Sequence, residues 1–349
     1  MAPLNINPPL LNSANPWCTT LSQLQDLYNS VHTGAITTRT SLLNGFPHDP
    51  THHQFAFFNP STHKSSTPNK DLAGDANTTG SLNTLGYSPI PLSEYLDFVQ
   101  VISNGLEDAP PKGRKSFKPA IISVTGSIEE IPQCYRAIHA LQPSVKMRLA
   151  MEINLSCPNI PGKTPPAYDF AALRTYLAAL KTEIDVGIVQ AGGIDESKRV
   201  AIGIKIPPYT YQEQFEGLIG VLKESVDMKP KYLACPIDFI TAVNTLGSSL
   251  LLSSDLETCH PALASANGSG IGGLAGAPLH PLALGNVYTI RNMLNVHADL
   301  KGVMIIGTGG VEDQAGSERM KSVGAGAVGV GTALGRKGVD VFGVIERGF

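Results

Sequence analysis

Residues 152–163 hold the side chains best suited to chemistry in this sequence. They read Glu-Ile-Asn-Leu-Ser-Cys-Pro-Asn-Ile-Pro-Gly-Lys, so a thiol, Cys157, lies between two amides, Asn154 and Asn159. Apolar residues before the thiol predict a buried strand, and the prolines and glycine after it predict a loop. In parallel α/β folds the carboxyl ends of strands carry the reactive groups. A thiol there can be a nucleophile or an acid and base, and amides can bind the edges of a flat polar substrate.

A second reactive group is Lys205, which lies in Gly-Ile-Lys-Ile-Pro-Pro near the end of another predicted strand. A cation among apolar residues costs free energy unless it has a partner or a function. Lys205 could form a Schiff base with a carbonyl substrate, or it could hold negative charge on a cofactor ring. A side chain that reaches out to solvent is the third alternative.

Further polar residues lie at predicted strand ends or in loops. Asn244 and Thr245 end one strand, Asn83 lies in a long insertion, and Arg39 ends another strand. Asparagine both donates and accepts, so several together suit a ligand with alternating N–H and C=O groups, such as a pyrimidine. Arg39 could bind a carboxylate through two hydrogen bonds. The alternatives are turn or cap residues for the asparagines and a surface ion pair for Arg39.

Two glycine clusters follow the last two predicted strands, Gly307-Thr-Gly-Gly310 and Gly329-Val-Gly-Thr332. In barrels these loops commonly bind phosphate through backbone N–H groups. The clusters therefore favour a phosphate site, although tight turns also need glycine. A third cluster, Gly270–Gly276, lacks the preceding strand of a dinucleotide-binding motif. It predicts a loop packed close to a flat ligand.

Composition excludes several classes of protein. The 349 residues suffice for a large core, and we interpret residues 1–349 as a single domain. A net charge of −3 gives no electrostatic case for nucleic acid. No apolar run reaches membrane-spanning length and the N-terminus lacks signal-peptide features, so we predict a cytoplasmic protein without a membrane partner. The five cysteines show no CxxC pair, and the histidines show no metal-binding spacing, so we predict free thiols and no metal.

Strands and helices that could position these groups alternate along the chain. The predicted strands are Leu10–Ala14, Ala35–Arg39, Ala120–Thr125, Leu149–Ser156, Val200–Ile206, Phe239–Thr245, Val303–Gly307 and Ala327–Gly331. The predicted helices are Leu21–Val31, Ser93–Ile102, Ile128–Leu141, Phe170–Ile184, Tyr211–Val226, Pro281–Val296, Gln314–Val323 and a short Val339–Arg347. Capping boxes at Ser127–Glu130 and Thr210–Glu213 support two helix starts. This order predicts an α/β fold, a (β/α)8 TIM barrel, with a doubly wound open sheet as the alternative.

Three stretches exceed the minimal repeat, at 44–92, 105–119 and 246–278. Long insertions in barrels often carry function. We therefore expect all three to extend over the top face of the barrel, as lids or substrate walls.

These motifs resemble those of the class 1A dihydroorotate dehydrogenases, soluble flavin enzymes of pyrimidine synthesis. The likeness covers nearly the whole chain. It is strongest in Asn-Leu-Ser-Cys-Pro-Asn-Ile-Pro-Gly-Lys (154–163), Lys-Ile-Pro-Pro-Tyr (205–209), Val-Asn-Thr (243–245), Gly-Ile-Gly-Gly (270–273), Ile-Gly-Thr-Gly-Gly (306–310) and Gly-Thr-Ala-Leu (331–334). The first motif is specific, because the soluble class uses a cysteine as base where the membrane-linked class uses serine.

The resemblance implies bound FMN. Its phosphate would contact Gly309, Gly310, Gly331 and Thr332, and its ring would lie near Ser13, Ala14, Arg39, Thr40, Asn154, Lys205, Val243 and Gly276. Lys205 would stabilise the anionic reduced flavin. The resemblance also implies a homodimer.

The implied substrate is dihydroorotate, which leaves as orotate. Its amide edges would contact Asn83, Asn154, Asn159, Asn244 and Thr245, and its carboxylate would contact Arg39 and the backbone of Leu85, Gly86 and Tyr87. Cys157 would remove the C5 proton while C6 passes hydride to the flavin. Fumarate would then reoxidise the flavin.

The chain departs from the family pattern at Arg39, where the family has lysine, and at Asn15, where it has glycine. Three alternatives therefore stay beside the main hypothesis. One is an FMN oxidoreductase that acts on a different dihydropyrimidine or an enoate. The others are a Schiff-base lyase that uses Lys205 and a flavin-binding protein without turnover.

Overall fold

The computed structural model describes most of the chain, at residues 4–70, 76–157, 159, 164–190, 199–228, 235–253 and 260–347. The strands in these ranges are β1 Leu10–Asn12, β2 Ile36–Thr37, β3 Phe55–Phe58, β4 Gly80–Asn83, β5 Ala120–Val124, β6 Leu149–Asn154, β7 Ala201–Ile206, β8 Phe239–Ala242, β9 Leu246–Ser249, β10 Gly272–Gly276, β11 Met304–Thr308 and β12 Ala327–Val330. The helices are α1 Leu21–Asn29, α2 Leu92–Asn104, α3 Glu130–Leu141, α4 Phe170–Gln190, α5 Gln212–Asp227, α6 His280–Asn295, α7 Gln314–Ser322, α8 Thr332–Lys337 and α9 Val341–Arg347.

Eight strands form a parallel barrel in the order β1-β12-β11-β8-β7-β6-β5-β2. Successive side chains of a strand point to opposite faces, so each strand has one face towards the helices and one towards the barrel axis. On β6, Met151 and Ile153 belong to the cluster that packs against the helices, whereas Ala150 belongs to a separate inner cluster. The predicted (β/α)8 barrel is confirmed, and each predicted strand is present with small shifts at its ends.

The barrel closes between β1 and β2 by a short seam. One parallel bridge joins Leu11 to Ala35. The Asn12 side chain adds a bond in each direction: Nδ2 donates to the Thr37 carbonyl at 2.6 Å, and Oδ1 accepts from the Thr37 N–H at 2.9 Å. A buried amide needs partners for both of its groups. Here one side chain satisfies that need and extends the pairing of two very short strands.

The interior of the barrel changes from apolar to polar along its axis. Leu11, Ile121 and Phe239 fill the half near the amino ends of the strands. Towards the carboxyl ends, the inward positions hold polar residues such as Ser123 and Glu152. A densely packed lower half leaves no room for a ligand. Ligand chemistry is therefore confined to the carboxyl ends of the strands.

Side-chain hydrogen bonds cap the amino ends of several outer helices. At the predicted Ser127–Glu130 box, the Ser127 N–H donates to the Glu130 carboxylate at 2.7 Å and the Glu130 N–H donates to the Ser127 hydroxyl at 3.3 Å. The predicted capping box Thr210–Glu213 is wrong, because Gln214 takes the place of Glu213. Gln214 accepts the N–H groups of Thr210 and Tyr211 at 2.8 and 3.2 Å, because the helix begins later than predicted.

A second, antiparallel sheet lies outside the barrel, in the order β3-β4-β10-β9. Its strands come from the insertions 44–92 and 246–278, for which the sequence predicted only lids or walls. Gly80, on β4, is paired on both sides. Phe58 of β3 lies opposite it on one side, and Gly276 of β10 lies opposite it on the other. Such short, glycine-containing strands lack a clear alternating pattern, which explains why they were not predicted.

The expectation that residues 105–119 cover the top face is wrong. This segment joins α2 to β5, so it must lie at the amino ends of the strands. Its contacts agree: Arg114 donates to the Val31 carbonyl at 3.2 Å, just before β2. The segment therefore supports the base of the barrel, away from the reactive groups.

Candidate active site

A cavity of about 1010 Å³, including its open mouth, lies at the carboxyl ends of the barrel strands. Both the barrel and the small sheet contribute to its walls. It brings together every site residue named from the sequence, namely Ser13, Ala14, Arg39, Thr40, Asn83, Leu85, Gly86, Tyr87, Asn154, Cys157, Asn159, Lys205, Val243, Asn244, Thr245, Gly276, Gly309, Gly310, Gly331 and Thr332. The roles assigned to them remain predictions.

Cys157 lies three residues beyond β6 and is half-buried at the cavity wall. Burial raises the pKa of its thiol above the ordinary value, because a thiolate is poorly solvated there. Four groups act in the opposite direction: the backbone of Asn159, the Tyr87 side chain, Lys205 and Arg39. The pKa of the thiol stays above its ordinary value because burial is the largest effect, and these four groups reduce that rise.

Lys205 occupies an inward position at the carboxyl end of β7, with 4 % of its surface exposed. Its ammonium group donates to the Ala14 carbonyl at 3.3 Å. Within the described part of the chain, no salt bridge involves this side chain. An ammonium group has three donors, so Lys205 has capacity left for a ligand in the cavity.

Hydrogen bonds fix the orientation of the Asn154 amide. Ser123 donates to the Glu152 carboxylate at 2.8 Å, so its oxygen must accept from Thr40, 2.9 Å away. Thr40 in turn accepts from Asn154 Nδ2 at 3.1 Å. Because each hydroxyl has one hydrogen, the direction of the whole chain is determined. A buried carboxylate thus determines which end of the amide binds Thr40.

The other end of the same amide connects to the next asparagine. Asn154 Oδ1 accepts from the Ser156 hydroxyl at 3.0 Å and from Asn244 Nδ2 at 3.3 Å. Asn244 Nδ2 also donates to the Ser156 hydroxyl at 2.9 Å. Asn244 Oδ1 accepts from the Thr245 N–H at 2.8 Å. These bonds give both amides a defined position at the cavity wall.

A second pair of asparagines joins the Cys157 segment to the small sheet. Asn159 Nδ2 donates to Asn83 Oδ1 at 2.9 Å and to the Leu85 carbonyl at 2.8 Å. Asn83 donates to the Gly273 carbonyl on β10 at 3.2 Å. The polar cavity wall is thus continuous from the barrel to the sheet above it.

Arg39 and Tyr87 lie together at this wall. The guanidinium donates to the Tyr87 carbonyl at 3.3 Å. Burial lowers the pKa of Arg39, since a buried cation loses hydration. Burial is also the main reason that the pKa of Tyr87 is raised, so its hydroxyl stays protonated. The pair therefore offers one cation and one neutral hydroxyl donor.

The glycine loop after β11 is held in shape by a histidine. Gly309 and Gly310 have φ of 145° and 69°, and a Cβ on Gly310 would lie 2.5 Å from the Gly276 carbonyl oxygen. Arg319 Nε donates to His280 Nε2 at 3.1 Å, so Nδ1 carries the hydrogen that binds the Gly309 carbonyl at 2.7 Å. Among the described residues, no backbone hydrogen bond of the loops and turns uses the N–H groups of Gly309, Gly310, Gly331 and Thr332. These groups can bind an anion.

Several cavity residues were not predicted from the sequence. Trp17 stacks on Phe57 with ring centres 5.6 Å apart, and Phe55 meets Trp17 edge-on at 5.3 Å. Trp17 and Phe55 line the cavity, with Asn15, Pro16, Ser81, Ala275, Leu279 and Thr308. Trp17 is the single tryptophan of the chain, which was an available but unspecific signal. An aromatic wall suits the apolar part of a flat ligand.

The cavity has a positive charge balance. Arg39 and Lys205 line it, and no Asp or Glu does among the described residues. The same part of the chain holds no cluster of His, Cys, Asp and Glu that could bind a metal. None of its helices combines the length and apolar character needed to cross a bilayer. The two cations suit anionic ligands, and the aromatic wall suits planar ones.

A family model described as dihydroorotate dehydrogenase matches residues 68–349. The probable dihydroorotate dehydrogenase A (fumarate) of Streptococcus pneumoniae is 28% identical over 95% of this chain and 85% of that protein. The dihydroorotate dehydrogenase (fumarate) of Kluyveromyces lactis is 28% identical over 96% and 85%. That of Trypanosoma cruzi is 30% identical over 76% and 71%. The Eimeria tenella DHODH crystal structure with ferulenol has a TM-score of 0.66, with 17% identity over 97% and 79% of the two chains, and supports the fold.

Proposed function

This chain belongs to the dihydroorotate dehydrogenase family, and from that premise we propose that it oxidises dihydroorotate to orotate with bound FMN. The observation that carries the proposal is the placement of Cys157 and Lys205 on one cavity lined by cations and amides. A thiol suits proton removal, and a buried cation suits an anionic ring. The proposal includes a cytoplasmic homodimer whose partners are small molecules, with no nucleic acid and no membrane.

The cavity residues fit FMN. The N–H groups of Gly309, Gly310, Gly331 and Thr332 would bind its phosphate. Its ring would contact Ser13, Ala14, Thr40, Asn154, Val243, Gly276 and the cations Arg39 and Lys205. Bound FMN supplies a two-electron acceptor for hydride. Lys205 would neutralise the negative charge that the ring gains on reduction.

The chain's own residues would bind the substrate and move its proton. Cys157, as thiolate, would take the proton from C5, while the C6 hydrogen leaves with its electron pair and a C5=C6 bond forms. Asn83, Asn154, Asn159, Asn244 and Thr245 would hold the amide edges of the ring. Arg39 and the backbone of Leu85, Gly86 and Tyr87 would hold the carboxylate. These contacts would present C5 to the sulfur.

Fumarate is the proposed electron acceptor. It is a dianion, and a cavity with two cations and no lining Asp or Glu among the described residues attracts such a molecule. It would enter the same cavity after orotate leaves.

A visible spectrum tests the proposed function. We expect the purified protein to be yellow and to bleach when dihydroorotate is added without air. Fumarate should then restore the colour. A yellow protein that dihydroorotate does not bleach would exclude this substrate, and a colourless protein that cannot bind added FMN would exclude the flavin.

A second candidate keeps FMN but changes the substrate to another dihydropyrimidine or an enoate. Arg39 favours it, because a guanidinium replaces the family's ammonium group at the predicted carboxylate contact. Anaerobic bleaching by a panel of reduced pyrimidines and enoates decides between the two. Borohydride trapping of a carbonyl compound on Lys205 in colourless protein would instead indicate the lyase alternative.

A further inference from the structure

We propose that His280 is a positioning residue for the glycine loop after β11. By donating to the Gly309 carbonyl, it aims the next N–H group, that of Gly310, into the cavity. This role rests on the proposed function only in taking the phosphate of FMN as the anion that the N–H binds. It depends neither on the substrate nor on Cys157.

The backbone of this loop does not fix its own conformation. Gly309 and Gly310 have φ of 145° and 69°, a region that favours glycine. Space also requires glycine, because a Cβ on Gly309 would lie 2.5 Å from Ala283 Cβ and one on Gly310 would lie 2.5 Å from the Gly276 carbonyl oxygen. Glycine adopts many backbone conformations at similar energy. The peptide between the two glycines can therefore turn over unless another group holds it.

The orientation of that peptide decides what the cavity offers to an anion. In a planar trans peptide, the carbonyl of one residue and the N–H of the next point in opposite directions. With the Gly309 carbonyl bound to His280, the Gly310 N–H therefore points away from His280. Gly309 and Gly310 line the cavity, and His280 is not among the described residues that do, so the N–H lies on the ligand side. The reversed peptide would present a carbonyl oxygen, which repels a phosphate.

Arg319 selects the tautomer that His280 needs for this contact. Its Nε donates to His280 Nε2 at 3.1 Å, so Nε2 accepts and the imidazole hydrogen lies on Nδ1. Nδ1 lies 2.7 Å from the Gly309 carbonyl oxygen. His280 is the first residue of α6 and is buried, whereas Arg319 lies on α7. Two helices thereby hold one peptide of the loop.

Two flavins that differ only in the phosphate test this role. FMN carries the phosphate and riboflavin does not, so the ratio of their dissociation constants isolates the phosphate contact. Quenching of flavin fluorescence on the full-length chain, freed of its flavin, gives both constants. We expect His280→Leu to weaken FMN binding by about tenfold, the usual weight of one buried hydrogen-bond partner, and to leave riboflavin binding unchanged. A general loss of packing would weaken both flavins alike.

A rescue variant and a control complete the comparison. The side-chain nitrogen of asparagine, like Nδ1 of histidine, is bonded directly to Cγ. His280→Asn therefore keeps a donor for the Gly309 carbonyl, and we expect it to recover most of the FMN affinity. His139→Leu is the control, because His139 is exposed near the end of α3, which leads to the base of the barrel. It should change neither constant.

Arg319→Leu covers the case in which His280→Leu fails to fold, because Arg319 is exposed. Without this donor, Nε2 can carry the imidazole hydrogen, and the bare Nδ1 then repels the Gly309 carbonyl oxygen. We expect a smaller loss of FMN affinity than in His280→Leu, again with riboflavin unchanged. Equal weakening of both flavins, or an unchanged ratio in both His280→Leu and Arg319→Leu, would overturn the role of His280.

Anaerobic bleaching of the FMN-loaded wild type by dihydroorotate separates this role from the proposed function. A selective loss of FMN in the variants, without bleaching of the wild type, would keep the role of His280 and reject the substrate. Bleaching with an unchanged flavin ratio would keep the substrate and reject His280. A wild type that binds neither flavin would reject bound FMN and the role of His280 together.

Discussion

At the scale of residues, the two cations that line the cavity are kept apart from the buried carboxylate of Glu152. Glu152 lies on the barrel axis and accepts from Ser123 at 2.8 Å and from Thr241 at 2.6 Å. Arg39 and Lys205 face the ligand space instead. Hydroxyl donors stabilise the carboxylate without neutralising either cation. The cations therefore stay available for an anionic ligand, while the carboxylate orders the amide of Asn154.

Replacement of Cys157 by alanine tests the base. We expect the variant to bind FMN normally and to lose flavin reduction by about 100-fold or more, the usual weight of a positioned acid or base. In the wild type, burial raises the pKa of the thiol. The thiolate fraction, and with it the rate of reduction, should therefore rise with pH through the alkaline range. Stopped-flow measurement of bleaching at several pH values checks both expectations.

The control for this experiment is Cys134→Ala, because Cys134 is buried on α3 away from the cavity. Equal rates in wild type and Cys157→Ala would contradict the role of Cys157. A rate that falls as pH rises would contradict the thiolate mechanism.

The sequence predicted residues that the structure brings to one cavity, for a physical reason. The thiol, Lys205 and the glycine clusters follow apolar strands, and parallel strands bring their carboxyl ends to one place. The direction of the Asn154 amide could not be predicted, because it depends on Ser123 and Glu152 together. The hydrogen bond from Asn159 to Asn83 joins residues 76 positions apart. No local pattern records such a contact.

At the scale of elements, the barrel was predictable and the small sheet was not. Barrel strands such as β6 and β7 are apolar runs bounded by helices, which is a strong pattern. The sheet strand β4 reads Gly-Ser-Leu-Asn and β10 reads Gly-Gly-Leu-Ala-Gly, and neither is an apolar run bounded by helices. Segment 105–119 was misplaced because its length suggested function. Its position between α2 and β5 assigns it to the opposite end of the barrel.

Lys118 connects that segment to the end of α1. Its ammonium group donates to the Tyr28 and Ser30 carbonyls and to the Thr33 hydroxyl. Lys118→Met would remove three donated hydrogen bonds from this buried position, and we expect a loss of about 1–3 kcal/mol in the free energy of unfolding. Lys115→Met is the control, because Lys115 is exposed. Thermal melts of both variants, with FMN saturating, check the difference.

The stabilisation by Lys118 should also depend on pH. Burial lowers its pKa from 10.5 to about 7. Between these values the unfolded chain binds more protons than the folded chain, so this contribution rises as pH rises through that window. The difference between wild type and Lys118→Met should therefore be larger at about pH 9.5 than at about pH 6. A difference that shrinks over this range would contradict the lowered pKa.

At the scale of the whole molecule, the small sheet carries an exposed apolar patch. Leu250, Leu252 and Ile271 are 52, 45 and 46 % exposed. Gly272 pairs with Ser249, so Ile271, which precedes Gly272, and Leu250, which follows Ser249, lie at the same end of β9 and β10. Grouped apolar exposure of this kind is typical of an interface between proteins. It supports the proposed homodimer.

We expect the protein to sediment with twice the mass of one chain, and Leu250→Glu to sediment as a monomer. A buried, unpaired carboxylate at an interface strongly opposes association. Val296→Glu is the control, because Val296 is a 77 % exposed residue on the C-terminal side of α6. Analytical ultracentrifugation of the three proteins decides. Wild-type sedimentation at one chain mass would contradict the homodimer, and a dimeric Leu250→Glu would place the interface elsewhere.

The first barrel strand pairs with the last one, and this has a consequence for synthesis. β1 aligns Leu10 with Val328 and Asn12 with Val330, whereas its pairing with β2 is one bridge and one side chain. As the nascent chain leaves the ribosome, one edge of β1 therefore stays open until residue 330 has been translated. Unpaired strand edges invite association with other chains. In the finished barrel β12 covers that edge, so the exposure ends with the pairing of the two terminal strands.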